Sequence, residues 1–272
     1  MAEPLYQEKY VAFIDMLGFS HLVRAAAGDA EKQTNIIEAI RRLKDTACGN
    51  AATGLIVTYF SDCLVVSSDR TADGLYEMLQ SIKIIAENLL VVDVMVRGGL
   101  TVGEIYHDDQ FMFGPGMLEA YDMERCQTKH PTILVSEQVR ADAAKAGLDP
   151  LLICDDEEPD RHYVHYLLAF STYDATPRAG QMILDDPARL IRHFIARRLD
   201  TDQGAVLGKA VWLERYWNET VGVAGVLGAV DRVTDLPRPD AHSFRSIRAI
   251  VGGPITTAPP EATATGSSAA PS

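Results

Sequence analysis

An unbroken run of apolar residues marks the first predicted element of the chain. Residues 10–17, "YVAFIDML", are apolar without polar alternation, which is typical of a central strand buried on both faces. Asp15 interrupts this run. A carboxylate among apolar neighbours is costly unless a cation, a proton or a bonded partner compensates it. The stretch therefore predicts a central strand with one carboxylate that needs such a partner.

The rest of the chain alternates between helical and strand periodicity. Helices are predicted from apolar positions at a spacing of three and four residues, and strands from short apolar runs between turn residues. The predicted helices are residues 29–47, 72–90 and 114–130, and the predicted strands are two within 54–68, one in 93–107 with a hairpin partner, and one at 132–136. Asp29 is a plausible N-cap of the first helix, and a polar turn at Ser61 and Asp62 separates the two strands of 54–68.

This order of elements predicts the fold class. A strand, a helix, a hairpin, a second helix and another strand form the split βαβ arrangement, so we expect an α+β, ferredoxin-like βαββαβ sandwich with helices on one face. Residues 155–161 are expected to form an acidic loop, and 162–170 to add a last strand. Residues 186–226 look helical, which predicts extra C-terminal helices.

Composition limits the domain organisation. We expect a catalytic domain over residues 1–175 and a helical extension over 176–253. Residues 254–272 are rich in Ala, Pro, Ser and Thr and are expected to be a disordered tail.

Charge and hydropathy exclude several classes of partner. The net charge of −13 argues against nucleic-acid binding, which needs a basic surface. No apolar run is long enough to span a membrane, and the first residues lack the apolar segment of a secretory signal. The four cysteines form no CxxC pair, and the apolar neighbours of Cys63 and Cys154 predict that these two are reduced core thiols. These features predict a cytoplasmic protein.

Two carboxylates stand out as candidate metal ligands. In a split βαβ fold, the end of the first strand, with Asp15, approaches the hairpin turn that carries Asp62. Two carboxylates that meet repel each other, unless a divalent ion holds both ionised. Carboxylates and backbone carbonyls suit hard ions such as Mg²⁺ or Mn²⁺, and a carbonyl of Ile14 or Met16 could complete the coordination. The alternative is that Asp15 and Asp62 are turn- or helix-capping residues.

Four segments carry a resemblance to a known family. "FIDMLGF" (13–19), "YFSDCLVVSS" (59–68) and "VRGGLTVGEIYH" (96–107) resemble, in this order, the catalytic domain of class III nucleotidyl cyclases. Together with "FGPGMLEAYDME" (113–124), they are most similar to the pyrimidine cyclases of Pycsar antiphage defence systems. The resemblance covers roughly residues 8–170.

The resemblance implies a reaction, cofactors and partners. It implies a homodimer with active sites at the interface, and two Mg²⁺ or Mn²⁺ ions held by Asp15 and Asp62. It also implies that a pyrimidine triphosphate, UTP in preference to CTP, is converted to its 3′,5′-cyclic nucleotide and pyrophosphate. The product would activate a separate effector protein.

Three positions depart from the pattern of ordinary adenylate cyclases. Those enzymes have a Lys where Thr58 stands here, and an Asn and an Arg where Leu118 and Asp122 align. Either the domain is inactive, or it recognises another base and stabilises charge with other residues. The two metal-binding aspartates favour the second explanation. A non-catalytic, cyclase-like nucleotide-binding dimer and a purine (adenylate) cyclase remain as alternatives.

Further residues are candidates for substrate binding. Thr58 and Tyr59 are predicted at the base pocket, where the Tyr59 ring would exclude purines; ordinary strand packing is its alternative role. Arg97 could donate to a base carbonyl or a phosphate, or form a plain salt bridge. Tyr121 and Arg125, four residues apart on the third helix, could contact ribose or phosphate, or merely cover the sheet. His107 is expected in an exposed turn.

Overall fold

The computed structural model describes residues 5–46, 49–155, 158–172, 187–200 and 204–223. Its strands are β1 Gln7–Leu17, β2 Ile56–Phe60, β3 Cys63–Asp69, β4 Met95–His107, β5 Met112–Phe113, β6 Ile133–Val135, β7 Leu152–Asp155 and β8 Glu158–Val164. Its α-helices are α1 Phe19–Ala25, α2 Ala30–Thr46, α3 Ala72–Val91, α4 Pro115–Asp122, α5 Glu137–Ala146, α6 Pro187–Leu199 and α7 Gly204–Val223. A π-helical turn, Met123–Gln127, directly continues α4.

The sheet confirms the predicted α+β class and the βαββαβ core. Its strand order is β2-β3-β1-β4-β6-β8-β7, and β5 pairs with β4 outside this path. β1 is antiparallel to both β3 and β4. The four strands of the core thus lie in the order β2-β3-β1-β4, with α2 and α3 as the two crossovers, which is the ferredoxin-like arrangement.

β1 is the central strand: it pairs with β3 and β4, and its side chains are buried on both faces of the sheet. Its even-numbered side chains join the main core, the large apolar cluster that extends into α3, α6 and α7; they are Tyr10, Ala12, Ile14 and Met16. Val11 and Phe13 point to the other face, where they form a second core with Val65, Ile105 and Ala120. Because successive strand residues alternate in direction, Asp15 lies on the face of this second core.

Helix α4 covers that second face. Helices therefore lie on both faces of the sheet, whereas the sequence predicted helices on one face only. Two glycines of β4 make its close approach possible. A Cβ on Gly99 would lie 2.6 Å from the carbonyl oxygen of Ala120, and one on Gly103 would lie 2.5 Å from the Cα of Gly116. The spaced glycines of "RGGLTVG" therefore seat α4 on the sheet.

Several local predictions were wrong. The sequence signal missed α1, α5 and β7. The third helix is α-helical only to Asp122, beyond which the π-helical turn follows. Most of the segment 155–161, which was expected to be an acidic loop, belongs to strands β7 and β8. The strand predicted at 162–170 is confirmed only up to Val164, where β8 ends.

The C-terminal helices pack directly on the rest of the protein. Leu190, Phe194, Leu213 and Trp217 belong to the main core, together with residues of α3. The boundary between residues 1–175 and 176–253 stays a prediction, and the predicted tail at 254–272 lies outside the described residues. No helix of the described ranges is long and apolar enough to cross a membrane.

Candidate metal centre

Strand register brings three polar side chains into one row at the end of β1. Asp15 pairs with Cys63 of β3 on one side and with Arg97 of β4 on the other. Directly paired residues point to the same face of a sheet. The thiol, the carboxylate and the guanidinium therefore all lie on the α4 face.

Asp62 joins this row from the turn between β2 and β3. The turn is tight, with Ser61 in the left-handed region at φ 51°. The backbone N–H of Met16 donates to the carbonyl oxygen of Asp62 at 2.7 Å, which ties the turn to β1. The hydroxyl of Ser20 in α1 donates to Asp62 Oδ2 at 3.3 Å. The position of the second carboxylate is thus held by both β1 and α1.

The predicted pair of aspartates is brought together. Ligand atoms of Asp15, Asp62 and Cys63 all lie within 4.8 Å of one another. The Cys63 sulfur is 3.9 Å from Asp15 Oδ1 and 3.9 Å from Asp62 Oδ1. All three residues are partly buried. A cation between them would therefore have two carboxylates and a thiol within reach.

The electrostatics of this cluster favour a bound cation. Burial, with the nearby Glu124 carboxylate, raises the pKa of Asp15 to about 6, although Arg97 opposes the shift. Burial and the Asp15 carboxylate raise the pKa of Cys63 to about 12. A divalent ion would reverse both penalties, because its charge favours ionised ligands. The donor set therefore fits Mg²⁺ or Mn²⁺ through its two carboxylates.

Ile14 and Met16 flank Asp15 in β1, and both side chains are buried in the main core. Only their backbone carbonyls are left as candidate ligands. That role stays a prediction.

Glu124, which sequence reasoning missed, binds Arg97. The guanidinium donates through Nε to Glu124 Oε1 at 2.5 Å and forms an ion pair with it through Nη2, whereas Asp15 Oδ2 is 3.8 Å away. Glu124 is only 4% exposed. It lies in the π-helical turn, and turns of this kind are frequent at functional sites. The sequence carries no signal for that turn, which reads as a continued α-helix.

Tyr121 lies in α4, and Arg125 lies within the π-helical turn that follows it. The Tyr121 ring packs edge-on against Phe13 at a centroid distance of 5.2 Å, while Arg125 is exposed. Because the π-helical turn begins at Met123, regular α-helical spacing does not extend from Tyr121 to Arg125. Their contacts to ribose or phosphate stay predictions.

Thr58 and Tyr59 lie on opposite faces of β2. Thr58 pairs with Val65 of the second core, so it shares a face with Asp15. Tyr59 pairs with Leu64, and its ring packs against the main core. Within one protomer, Tyr59 is thus not brought to the aspartates, and its contacts fit the alternative of strand packing.

His107 is buried, so the prediction of an exposed turn was wrong. Its Nε2 lies 2.9 Å from Thr58 Oγ1, and its Nδ1 lies 2.8 Å from Ser67 Oγ. Burial, with the Lys9 charge, lowers the pKa of His107 to about 4. The neutral imidazole therefore fixes the Thr58 hydroxyl on the α4 face.

Two of the three positions that depart from the adenylate cyclase pattern, Leu118 and Asp122, are on the surface. Leu118 is 64% exposed, and Asp122 is exposed in the last turn of α4. Helix α4 itself carries no Lys or Arg that could take their place, and Arg125 lies in the π-helical turn that follows it.

Comparison with known proteins finds distant structural similarity. No family model matches the chain, and no curated protein sequence matches it. The chain is similar to the monomeric guanylyl cyclase domain of the RhoGC fusion protein from the aquatic fungus Blastocladiella emersonii, with 14% identity, a TM-score of 0.43, and coverage of 58% of this chain and 95% of that one. It is also similar to the catalytic core of a rhodopsin-guanylyl cyclase with converted specificity, in complex with ATPαS, with 12% identity, a TM-score of 0.43, and coverage of 58% and 94%. Similarities this distant carry no argument about activity or substrate.

Proposed function

We propose that this protein is a nucleotidyl cyclase that converts a pyrimidine nucleoside triphosphate, UTP in preference to CTP, to its 3′,5′-cyclic nucleotide. The observation that carries the proposal is the convergence of Asp15 and Asp62 at one end of β1. Two carboxylates this close, at partly buried positions, repel each other unless a cation lies between them. They have a use as ligands of the ions that a triphosphate needs.

The residues of the site have separate roles in this reaction. Asp15 and Asp62 would hold two Mg²⁺ or Mn²⁺ ions, whose charge, when bound, acidifies the ribose 3′-hydroxyl and neutralises the triphosphate. The 3′-oxygen forms a bond to the α-phosphorus, the bond to pyrophosphate breaks, and the hydroxyl proton is released. Strand β1 orients Asp15, and the turn held by Met16 and Ser20 orients Asp62. Rigid placement of this kind lowers the cost of reaching the reactive geometry.

A pyrimidine preference is supported by the chemistry at Thr58. A short hydroxyl stands there in place of the lysine of adenylate cyclases, and His107 holds it in one orientation. Thr58→Val should change the ratio of UTP to ATP turnover, while Tyr59→Ala, which removes the ring, tests the residue on the other face. If only Tyr59→Ala alters the ratio, the base pocket involves Tyr59, as the sequence predicted.

A homodimer is supported by exposed apolar side chains around the Asp15 face. Phe60 and Tyr121 both contact Phe13, and Phe113 contacts Tyr6 and Tyr106. The exposed members are Phe60, Phe111, Phe113, Leu118 and Tyr121. Exposed apolar side chains that lie next to one another often mark an interaction site. Leu118→Ser should shift the protein toward a monomer in light-scattering measurements and lower its activity; a fully active wild-type monomer would contradict the dimer.

A role in antiphage signalling rests on the resemblance to Pycsar cyclases alone. The product would activate a separate effector protein. Bacteria that express the protein with such an effector should resist phage, and the Asp15→Asn variant should abolish this resistance.

A non-catalytic nucleotide-binding dimer is the second candidate function. Leu118 and Asp122 are exposed where cyclases place an Asn and an Arg, and Arg97 is already bound by Glu124. A purine cyclase is disfavoured by Thr58.

Incubation with each of the four nucleoside triphosphates and Mn²⁺, followed by mass spectrometry, tests the proposal. We expect cyclic UMP as the main product. Asp15→Asn and Asp62→Asn should each lower its rate at least a thousandfold, because either change removes a ligand oxygen with its charge. Asp109→Asn, at an exposed loop carboxylate, is the matched control and should be fully active.

The outcomes separate the candidates. A normal rate in either Asn variant, with circular dichroism showing the native fold, would refute the metal assignment. Nucleotide binding without any cyclic product would favour the non-catalytic dimer. Cyclic AMP as the main product would favour the purine cyclase.

A further inference from the structure

Each aspartate of the metal centre presents one carboxylate oxygen to the Cys63 sulfur. That sulfur lies 3.9 Å from Asp15 Oδ1 and 3.9 Å from Asp62 Oδ1. Because Cys63 pairs directly with Asp15 between β3 and β1, the two side chains point to the same face of the sheet. The thiol is therefore equally close to both carboxylates.

The second oxygen of each carboxylate has a partner of its own. Asp15 Oδ2 lies 3.8 Å from the Arg97 guanidinium, and Asp62 Oδ2 accepts from the Ser20 hydroxyl at 3.3 Å. Contacts of this kind orient carboxylates that bind metals. Both Oδ1 atoms face the sulfur, whose single proton can be donated to only one of them at a time. The two Oδ1 atoms and the sulfur are thus left for an ion that all three could share.

The spacing of these three atoms is close to that of a zinc site. Tetrahedral Zn²⁺ has bonds of about 2.3 Å to sulfur and about 2.1 Å to carboxylate oxygen, which puts the sulfur about 3.6 Å from each oxygen. The 3.9 Å found here is only slightly longer. Mg²⁺ and Mn²⁺ prefer oxygen ligands, whereas Zn²⁺ also binds thiolate strongly. The thiol therefore distinguishes between these two classes of ion.

We propose that Asp15, Asp62 and Cys63 together bind Zn²⁺ through two carboxylates and a thiolate, and that Zn²⁺ bound there inhibits the cyclase. The inhibition rests on the proposed function, because Zn²⁺ would occupy the oxygens that Mg²⁺ or Mn²⁺ needs. The binding itself rests on the three side chains alone. As the bond between sulfur and zinc forms, the S–H bond breaks and its proton passes to the solvent. Asp15 is partly exposed, so an ion could reach the site from outside.

The test compares the affinities for Zn²⁺, measured by competition with a chromogenic chelator, and for Mn²⁺, measured by electron paramagnetic resonance. Cys63→Ser should weaken Zn²⁺ binding about a hundredfold or more, because it removes the one soft ligand. Its affinity for Mn²⁺ should change less than about threefold, since both carboxylates remain. In the wild type, Zn²⁺ should displace bound Mn²⁺. Equal Zn²⁺ affinity in the wild type and Cys63→Ser would overturn the inference, and so would Zn²⁺ that binds without displacing Mn²⁺.

A spectroscopic signature of the sulfur bond makes the test independent of how well Cys63→Ser folds. Co²⁺ occupies zinc sites and gives a charge-transfer band in the near ultraviolet when a thiolate binds it. The wild type should show this band. Asp15→Asn, which keeps the thiol, should weaken Co²⁺ binding about tenfold or more, because a charged ligand is lost. A wild type that binds Co²⁺ without the band would overturn the inference.

Cys154→Ser is the matched control. Cys154 is exposed in β7, at the edge of the sheet far from β3, and is not the core thiol that the sequence predicted. The substitution removes a thiol of the same kind but should leave the Zn²⁺ affinity and the Co²⁺ band unchanged. Loss of the band in Cys154→Ser, with the band retained in Cys63→Ser, would place the ion elsewhere and overturn the inference.

The zinc site and the proposed function can fail separately. Zn²⁺ binding that depends on Cys63, without any cyclic product, would refute the cyclase and leave the zinc site. Cyclic nucleotide formation by a wild type whose Zn²⁺ affinity does not depend on Cys63 would refute only the zinc site. A wild type that binds neither Mn²⁺ nor Zn²⁺ and forms no product would refute both. If both hold, Cys63→Ser should need about tenfold more Zn²⁺, or more, than the wild type for the same inhibition.

Discussion

The two faces of β1 differ in what covers them. On one face, Ile14 and its even-numbered neighbours are sealed beneath the main core. On the other, Val11 and Phe13 lie under α4, but Asp15 lies beyond that cover and is partly exposed. Adjacent residues of one strand thus differ in role: Ile14 contributes to the stability of the core, whereas Asp15, on the open face, belongs to the metal site that we propose.

This difference shows how a rigid site is built at the border of a core. The carboxylate of Asp15 cannot move far, because its neighbours in β1 are fully packed. Its outer end is nevertheless partly exposed, so an ion could reach it. Rigid scaffolding beneath a reactive group is what precise positioning requires.

Truncation on the sealed face should have the largest effect on stability. Ile14 is fully buried, so Ile14→Ala should lower the free energy of unfolding by about 4 kcal/mol, through lost burial and an unfilled cavity. Ile14→Val should cost about 1 kcal/mol. Urea denaturation measures both. A loss below about 1 kcal/mol for Ile14→Ala would mean that the face is not sealed.

Acidification should destabilise the protein through His107, on the open face. Its pKa in the folded state is about 4, below the usual 6.5, so the unfolded state binds more protons between these values. Stability should therefore fall by up to about 3 kcal/mol as the pH drops from 6.5 to 4. His107→Gln should remove this part of the pH dependence.

Burial also lowers the pKa of His165, which lies next to Tyr216 of α7, to about 4. His165 therefore also makes the free energy of unfolding fall as the pH drops. His165→Gln therefore serves as the counterpart of His107→Gln. Chemical denaturation at several pH values would separate the two contributions. An unchanged slope in His107→Gln would show that His107 is not buried as a neutral ring.

Neutralising Asp15 should have the smallest effect on stability, and in the opposite direction. The folded-state pKa of Asp15, about 6, exceeds the usual 3.8. The free energy of unfolding should therefore decrease as the pH rises from about 4 to 6 and stay at the lower value above pH 6. Asp15→Asn should therefore stabilise the metal-free protein at pH 8, by about 1 kcal/mol after allowance for solvent screening.

Mg²⁺ or Mn²⁺ should then raise the melting temperature of the wild type but not of Asp15→Asn, as differential scanning calorimetry can show. Ile14→Val, which keeps both carboxylates, is the control and should retain the response to metal. Equal stabilisation of Asp15→Asn and the wild type by metal would place the ion elsewhere.

The core of the fold could be predicted from local patterns. The continuous apolar run around Ile14 predicted a central strand, and the spacing of apolar residues in 72–90 predicted α3 almost to the residue. These features follow from side-chain burial alone. By contrast, the short β7 and α5 were missed, because their patterns are too brief or too polar to stand out from loops.

The candidate site could be predicted only in part. Asp15 and Asp62 violate the pattern of their surroundings, so the sequence by itself singled them out. Their approach to within a few ångströms, with Cys63 between them, depends on strand register and on the turn at Ser61. Glu124 faces Arg97 because of a π-helical turn.

The sequence by itself thus determined the βαββαβ order and which carboxylates are costly, because periodicity and burial are local properties. Only the tertiary structure decided which charges face one another. That decision depends on strand register and on the glycines that seat α4, and both join residues distant in sequence.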